Sequence, residues 1–395
     1  MDFYMYLDSA ATTKPSKEVI SAMLPYLTDE WFNPSSLYSP SARISKDIQS
    51  ARETIAQYIG ADSDEIYFTS GGSESNCWAI QGFIQNRLSQ SDEPYIITTP
   101  IEHKSIIECV KNSNVEYEFL KVDKDGFVDL DYLRECLEGA TNANPNLHIL
   151  VSVQFANNEI GTIQHISEIA KVVHKYNGWL HTDAVQAFGQ VPIDVKLLGI
   201  DMLSASGHKV YTPKGIGFLY KTHPTIINPL IYGSQENRLR GGTENVPYIM
   251  GFKKAIEILE KNNFERRVNM IQWRNDLITR LKEIGCTVHG SMAYRLPNNI
   301  NIAFPQKATG EALIYMLDSS GIYISAGSAC NSHSASISHV LQAIGLDDDE
   351  ALRTIRITLS DTIPVEEREQ YTNKFISEFK KQLQILDISH KKGLI

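Results

Sequence analysis

This 395-residue chain lacks most of the marks of a secreted, membrane-spanning or nucleotide-binding protein. It has only five cysteines, Cys77, Cys109, Cys136, Cys286 and Cys330, and no Cys-x-x-Cys pair. An odd count without paired spacing argues against a disulfide framework and a structural zinc site, and no metal is expected. Four of the five sit among larger apolar residues, as in Ile106-Ile107-Glu108-Cys109-Val110, and read as buried thiols. No uninterrupted apolar run is long enough to span a bilayer, so no membrane contact is expected. Residues 1–6 lack the basic and apolar regions of a signal peptide, which predicts a cytoplasmic location. Positive charge is also short: 37 Lys and Arg face 47 Asp and Glu, for a formal net charge of −10. That balance argues against direct nucleic-acid binding; a nucleic acid would be reached only through a partner protein. Walker A and Gly-x-Gly-x-x-Gly motifs are absent, as are repeats and low-complexity linkers.

The chain is long for one domain and suits two. Hydrophobic content of 42% and charged content of 21% fit a globular protein. From about residue 60 to 225, strand-like and helix-like segments alternate. Strands are expected at 66–69, 95–99, 115–122, 147–155, 179–182, 202–205 and 216–220, with helices at 75–88, 104–111 and 166–176. The alternation predicts an α/β fold with a mostly parallel sheet sandwiched by helices, and a ligand site at the carboxyl ends of the strands. Past residue 250 the texture changes. A helical stretch over 246–285, broken at Asn262-Asn263, leads into short strands at 299–304, 322–325 and 354–359 and helices at 311–319 and 366–386. These pieces predict a smaller α+β domain from about residue 256 onward.

Residues able to do chemistry gather at the predicted strand ends. Ser204-Ala205-Ser206-Gly207-His208-Lys209 offers an amine that can condense with an aldehyde, or else a plain surface lysine. His181-Thr182-Asp183-Ala184-Val185-Gln186 offers a carboxylate for a protonated pyridine nitrogen, or else a helix cap. Together Lys209 and Asp183 are the minimum set for pyridoxal 5'-phosphate. Thr69-Ser70-Gly71-Gly72-Ser73-Glu74 is a strand end, glycine turn and helix start; it suits an anion, or is simply a capped helix. Ser206 and His208 are close enough in sequence to Lys209 to share that phosphate. His103, just past a strand, can stack on an aromatic ring and move protons, or cap the following helix. Asn158, in Asn157-Asn158-Glu159, is a turn former or a ligand to a ring hydroxyl or substrate carboxylate. Gln186 can bond the ring oxygen. The turn Arg240-Gly241-Gly242-Thr243 is donor-rich, or an ordinary loop. Cys330 lies among small polar residues, Ser325 to Ser336. It reads as an accessible thiol on a loop, or as an incidental cysteine in a turn.

Taken in order, these segments resemble the cysteine desulfurases, a branch of the class V aminotransferase-like, fold-type I pyridoxal phosphate enzymes. The resemblance runs through Tyr6-Leu7-Asp8-Ser9-Ala10-Ala11, Asn33-Pro34-Ser35-Ser36, Gly72-Ser73, Glu102-His103, Asn157-Asn158-Glu159-Ile160-Gly161, Asp183 to Gln186, Ser206 to Lys209, Gly242-Thr243-Glu244-Asn245, Gly327-Ser328-Ala329-Cys330 and Ile355-Arg356. It covers nearly the whole chain. Departures at Ser9, Tyr38, Ser41, Ser234, Arg238 and Ser360 bear on subgroup and partner rather than on the reaction.

The resemblance implies a large cofactor domain at 14–255 and a small domain made of 1–13 and 256–395. It also implies a homodimer in which Thr243 reaches the partner subunit's phosphate. It assigns Lys209, His103 and Cys330 to catalysis, and Gly72, Ser73, His103, Asn158, Asp183, Gln186, Ser206, His208, Lys209 and Thr243 to the cofactor. Arg356, Asn158 and Asn33 go to the substrate, L-cysteine. The implied products are L-alanine and a persulfide on Cys330. That sulfur would pass to an acceptor protein serving iron–sulfur cluster assembly, tRNA thiolation or DNA sulfur modification. A selenocysteine lyase or an aminotransferase on the same fold, and a non-catalytic scaffold of a sulfur pathway, are the alternatives.

Overall fold

The computed structural model of the chain describes residues 4–261, 263–326 and 337–391. The Cys330 segment therefore lies outside the described residues. The larger sheet is built from β2 (Ile66–Thr69), β3 (Pro94–Thr98), β4 (Glu116–Phe119), β5 (His148–Ser152), β6 (Trp179–Asp183), β7 (Met202–Ser206) and β8 (Gly217–Lys221). Before it come β1 (Met5–Tyr6), α1 (Lys17–Thr28) and α2 (Ser39–Ile59). Between its strands lie α3 (Gly72–Ser89), α4 (Lys104–Lys111), α5 (Leu130–Ala143), α6 (Ile166–Lys175) and α7 (Val195–Leu198); α8 (Val246–Lys261) follows it.

The strand order is β2-β8-β7-β6-β5-β3-β4. Only β8 runs against its neighbours; the other pairings are parallel. Side chains alternate across the sheet with a period of two. Phe68, Ile97, Val151, Leu203 and Ala205 pack on one face against α2, α5, α6 and α8. Tyr67, Ile96, Leu150 and Met202 pack on the other against Trp78, Ile80 and Phe83 of α3 and Ile106 of α4. Burial on both faces is why these strands read as continuous apolar runs. The fold is the expected mostly parallel seven-stranded sheet sandwiched by helices.

A second core is formed by α9 (Asn263–Glu283), β9 (Thr287–Val288), β10 (Asn299–Ala303), α10 (Gly310–Asp318), β11 (Ile322–Tyr323), β12 (Ser325–Ala326) and β13 (Thr354–Thr358), closed by α13 (Arg368–Lys391). Two short helices, α11 (His339–Ala343) and α12 (Asp348–Leu352), precede β13. An antiparallel sheet β12-β13-β10-β9 carries this core. The chain's first strand joins this core too: β1 pairs parallel with β11 in a separate two-stranded sheet, and Asp8 forms an isolated bridge to Thr358. None of the described helices is long and apolar enough to cross a membrane.

The structure corrects the cysteine reading. Of the described thiols only Cys286 is buried; Cys77, Cys109 and Cys136 are half-exposed. On α4, the buried stripe is Ile106, Ile107 and Val110. Cys109 lies off that stripe and turns toward α3. The expected strand at 322–325 is also two short strands, interrupted at Ile324.

Candidate active site

The parallel strands β3, β5, β6 and β7 deliver their carboxyl ends to one cavity of about 920 Å³. β6 ends at Asp183, whose carboxylate is buried. Asn76 Nδ2 donates to its Oδ2 at 2.7 Å, and the Val185 amide donates to its Oδ1 at 2.9 Å. β7 ends at Ser206, and a 3₁₀ turn over Gly207–Lys209 carries the lysine into the same space. Lys209 Nζ donates to the carbonyls of Ala10 and Ala11 at 2.5 and 2.8 Å. Gln186 Nε2 donates to the Ala10 carbonyl as well, at 3.1 Å. The N-terminal strap is thus tied to the lysine turn.

α3 starts at this cavity. Its N-cap residue, Gly71, has φ +150° and supplies no side-chain cap, so the first-turn amides keep donor capacity. A Cβ on Gly72 would come within 2.5 Å of Val185 Cγ2, so glycine there permits the close approach of the loop after β6. Ser73, Ser206 and His208 line the cavity beside that turn. Burial, then the cations Lys209 and Lys214, pull the His208 imidazole down to about 4, which leaves it neutral at pH 7. Its Nδ1 lies 3.1 Å from Thr12 Oγ1. An anion is well served here by uncapped amides, hydroxyls and a helix N-terminus.

His103 both caps α4 and lines the cavity. The Ser105 amide donates to its Nδ1 at 3.1 Å, and Ser105 Oγ stands 2.8 Å from the same nitrogen. That amide assigns the neutral ring's proton to Nε2. From the second core comes Arg356 on β13, 2% exposed. Its Nη2 pairs with Asp8 Oδ1 at 2.8 Å and its Nη1 donates to the Asn158 carbonyl at 3.1 Å, while Nε has no partner among the described residues.

The structure therefore gathers Gly72, Ser73, His103, Asn158, Asp183, Gln186, Ser206, His208, Lys209 and Arg356 around one space. It does not bring Asn33 and Thr243 there. Both are exposed, and Asn33 Oδ1 accepts the Ser35 amide at 2.9 Å in a local turn. The turn after Leu239 is tied instead to α3, through Arg240 Nε and Glu74 Oε1 at 2.8 Å.

Sequence reasoning missed Asn76 and Asp8, which hold Asp183 and Arg356. It also passed over two buried carboxyls on the cavity wall. Desolvation pushes Glu102 up to about 8 and Glu159 up to about 7. Glu102 Oε1 accepts from Thr99 Oγ1 at 2.7 Å and from the Gln154 amide at 3.0 Å, and Glu159 Oε2 accepts from Ser338 Oγ at 2.5 Å. Asp8, Glu102 and Glu159 lay inside quoted motifs, and Asn76 closed the glycine-turn segment Phe68 to Asn76, but none was given a role.

Known proteins are similar to this chain in sequence and fold. The aminotransferase class-V family model matches residues 5–367. Cysteine desulfurase IscS of Methanosarcina thermophila is 44% identical over 360 residues, covering 90% of this chain and 87% of that protein. A solved NifS-like protein superposes with a TM-score of 0.86 at 32% identity, covering 98% of this chain and all of that one. SspA, solved in complex with cysteine, superposes with a TM-score of 0.75 at 35% identity, covering 90% and 98% of the two chains. With the lysine, the buried aspartate and the uncapped helix turn gathered in one cavity, the chain belongs to the class-V aminotransferase family, in its cysteine desulfurase branch.

Proposed function

We propose that this cysteine desulfurase works on L-cysteine in the cavity at the strand ends. Pyridoxal 5'-phosphate would be held with its phosphate at the first turn of α3, Ser73, Ser206 and His208. Its ring nitrogen would meet Asp183 and its aldehyde Lys209. The observation that carries this reading is the convergence of Lys209, Asp183 and the uncapped α3 turn with Arg356 of the second core. Bound there, the cofactor supplies an electron sink for bond breaking at the substrate's carbons.

This chain's own groups do the rest. Arg356 binds the substrate carboxylate through its planar fork; Asp8 orients that fork and Nε remains to be satisfied. Asn158 assists. Lys209 moves the proton at the substrate Cα, with the Ala10 and Ala11 carbonyls fixing its resting position. His103, with Nδ1 tethered by Ser105, would stack on the cofactor ring and leave Nε2 for the substrate's thiol proton. The Cys330 thiolate attacks the substrate sulfur. An S–S bond forms as the C–S bond breaks, the electron pair of that bond goes to the substrate carbon, that carbon takes up a proton, and L-alanine leaves. The persulfide sulfur then passes to an acceptor protein. The chain acts as a homodimer, with Thr243 directed at the partner subunit's phosphate site.

Cys330→Ser tests the assignment. The variant is expected to keep the visible absorption of the bound cofactor and to form no persulfide. Persulfide-dependent sulfide release that persists undiminished in it would overturn the reading. Alanine formed from cysteine without a keto-acid acceptor separates it from an aminotransferase.

A further inference from the structure

Two thiols that play no part in the reaction face each other across α3 and α4. Cys77 lies on α3 and Cys109 on α4, and both are half-exposed. Their neighbours fix the register. Cys77 Sγ lies 3.7 Å from the Ser105 carbonyl, one turn before Cys109. Gln81, one turn after Cys77, has its Nε2 3.4 Å from the Cys109 carbonyl and 3.5 Å from Cys109 Sγ. Within α4 the Ser105 carbonyl is the one that receives the Cys109 amide, so Cys77 Sγ, 3.7 Å from that oxygen, sits against the turn that carries Cys109, and the two thiols interact. The other described thiols have different surroundings. Cys136 sits against Tyr132 and Glu118, and Cys286 lies in the second core.

We propose that Cys77 and Cys109 are a reversible dithiol/disulfide site that bridges α3 and α4 in response to peroxides. Contact with Cys109 lowers the Cys77 thiol's pKa, while the same contact and burial raise that of Cys109. Cys77 is therefore the attacking sulfur. Its thiolate attacks one oxygen of a hydroperoxide. An S–O bond forms, the O–O bond breaks, and the departing oxygen takes a proton and leaves as water or an alcohol. Cys109 then attacks the sulfenic sulfur. The S–S bond forms and the S–O bond breaks, releasing water. The two thiols lose two electrons and the peroxide gains them. A small dithiol reverses the bridge by exchange.

The location ties the bridge to the reaction cavity. Asn76, next to Cys77, donates to Asp183 at 2.7 Å and to Ser105 Oγ at 2.9 Å. Ser105, one turn before Cys109, holds His103. The bridge forms directly behind the two helix starts that carry these residues.

The experiment treats the holoenzyme with hydrogen peroxide, blocks remaining thiols by alkylation, and maps peptides without reduction by mass spectrometry. The expected result is a linked pair of peptides joining Cys77 to Cys109, two hydrogens lighter than their sum. It should take up most of the Cys77 peptide and disappear after dithiothreitol. In Cys109→Ser, the expected product is a sulfenic acid on Cys77, trapped by a dimedone probe. Wild-type protein in which both cysteines remain alkylatable, or are oxidised separately with no linked peptide, overturns the proposal. The wild-type map decides by itself if a variant fails to fold.

Discussion

Asp183 uses two of its four lone-pair positions on Asn76 and the Val185 amide, which leaves acceptor capacity for a ring N–H. The Asn76 bond is charge-assisted, in the range of about 1.5–3 kcal/mol. Asn76→Ala is therefore expected to weaken cofactor binding by about 10- to 100-fold, measured by absorbance titration of the apoprotein. A second prediction concerns Glu102, whose burial lifts its carboxyl from 4.5 to about 8. The unfolded chain releases this proton above its lower value, whereas the folded chain keeps it until about 8. Its contribution is fully present below the unfolded value and is lost as pH rises through the folded one, on the order of 3 kcal/mol by pH 7. Glu102→Gln should flatten the fall in stability between pH 5 and 8, read from denaturant midpoints. At this scale the sequence was legible where a residue's chemistry announces itself, as with Lys209 and Asp183. Asp8 was not assigned as the partner of Arg356, because 348 positions separate them and only the two-core packing joins them. The charge on Asn76 is zero and its role arises entirely from facing Asp183.

At the level of the element, the uncapped start of α3 is the most consequential feature. Most helices recruit a side chain to their first amides, as α5 does with Asp129 and α10 with Thr309. α3 recruits none, which costs intrinsic stability and leaves donors for a ligand. Gly72→Ala should drive a methyl into Val185, two residues from Asp183. The expected outcome is at least a tenfold loss of cofactor affinity with far-ultraviolet circular dichroism preserved. Gly217→Ala is a different case. Its Cβ would meet the Ala205 carbonyl at 2.5 Å and the Gly71 Cα at 2.7 Å, both backbone, so β7, β8 and the α3 turn would have to separate. That variant should lose cooperative folding, seen as a collapsed thermal transition. Sequence periodicity located the strands of the larger sheet because double-sided burial makes them apolar throughout. It passed over α1, α2 and α5. α2 is polar on average and buries one stripe, with Ile44, Ile48, Ala51 and Ile55 on the core side. Such stripes are thin against a charged background.

Across the whole molecule, the two cores are pinned beside the lysine turn. Tyr211, two residues past Lys209, holds φ +66°. Its hydroxyl accepts the Asp361 amide at 3.0 Å and donates to Asp361 Oδ2 at 3.3 Å. Arg266 of α9 pairs with the same carboxylate at 2.6 Å and also donates to the Gly189 carbonyl of the larger core. Tyr211→Phe keeps the ring and removes both hydroxyl bonds. It should cost about 1–2 kcal/mol of stability and lower kcat more than KM, checked by chemical denaturation and steady-state kinetics. The larger domain's class was legible as alternating strands and helices. The return of the first strand to the second core was not, since two residues of β1 carry no period; it came from family likeness alone.

That return has a consequence for the chain during its synthesis. β1 leaves the ribosome early but pairs with β11, some 300 residues later, and the strap that follows it holds Lys209 and Arg356. The larger sheet can close as soon as β8 emerges, yet its strap has no anchor and the cavity no arginine. Closing so distant a pair is slow. On the proposed roles, a half-made chain would have the lysine for the cofactor without the arginine for the substrate carboxylate, and sulfur would not be drawn from the amino acid until translation is nearly complete.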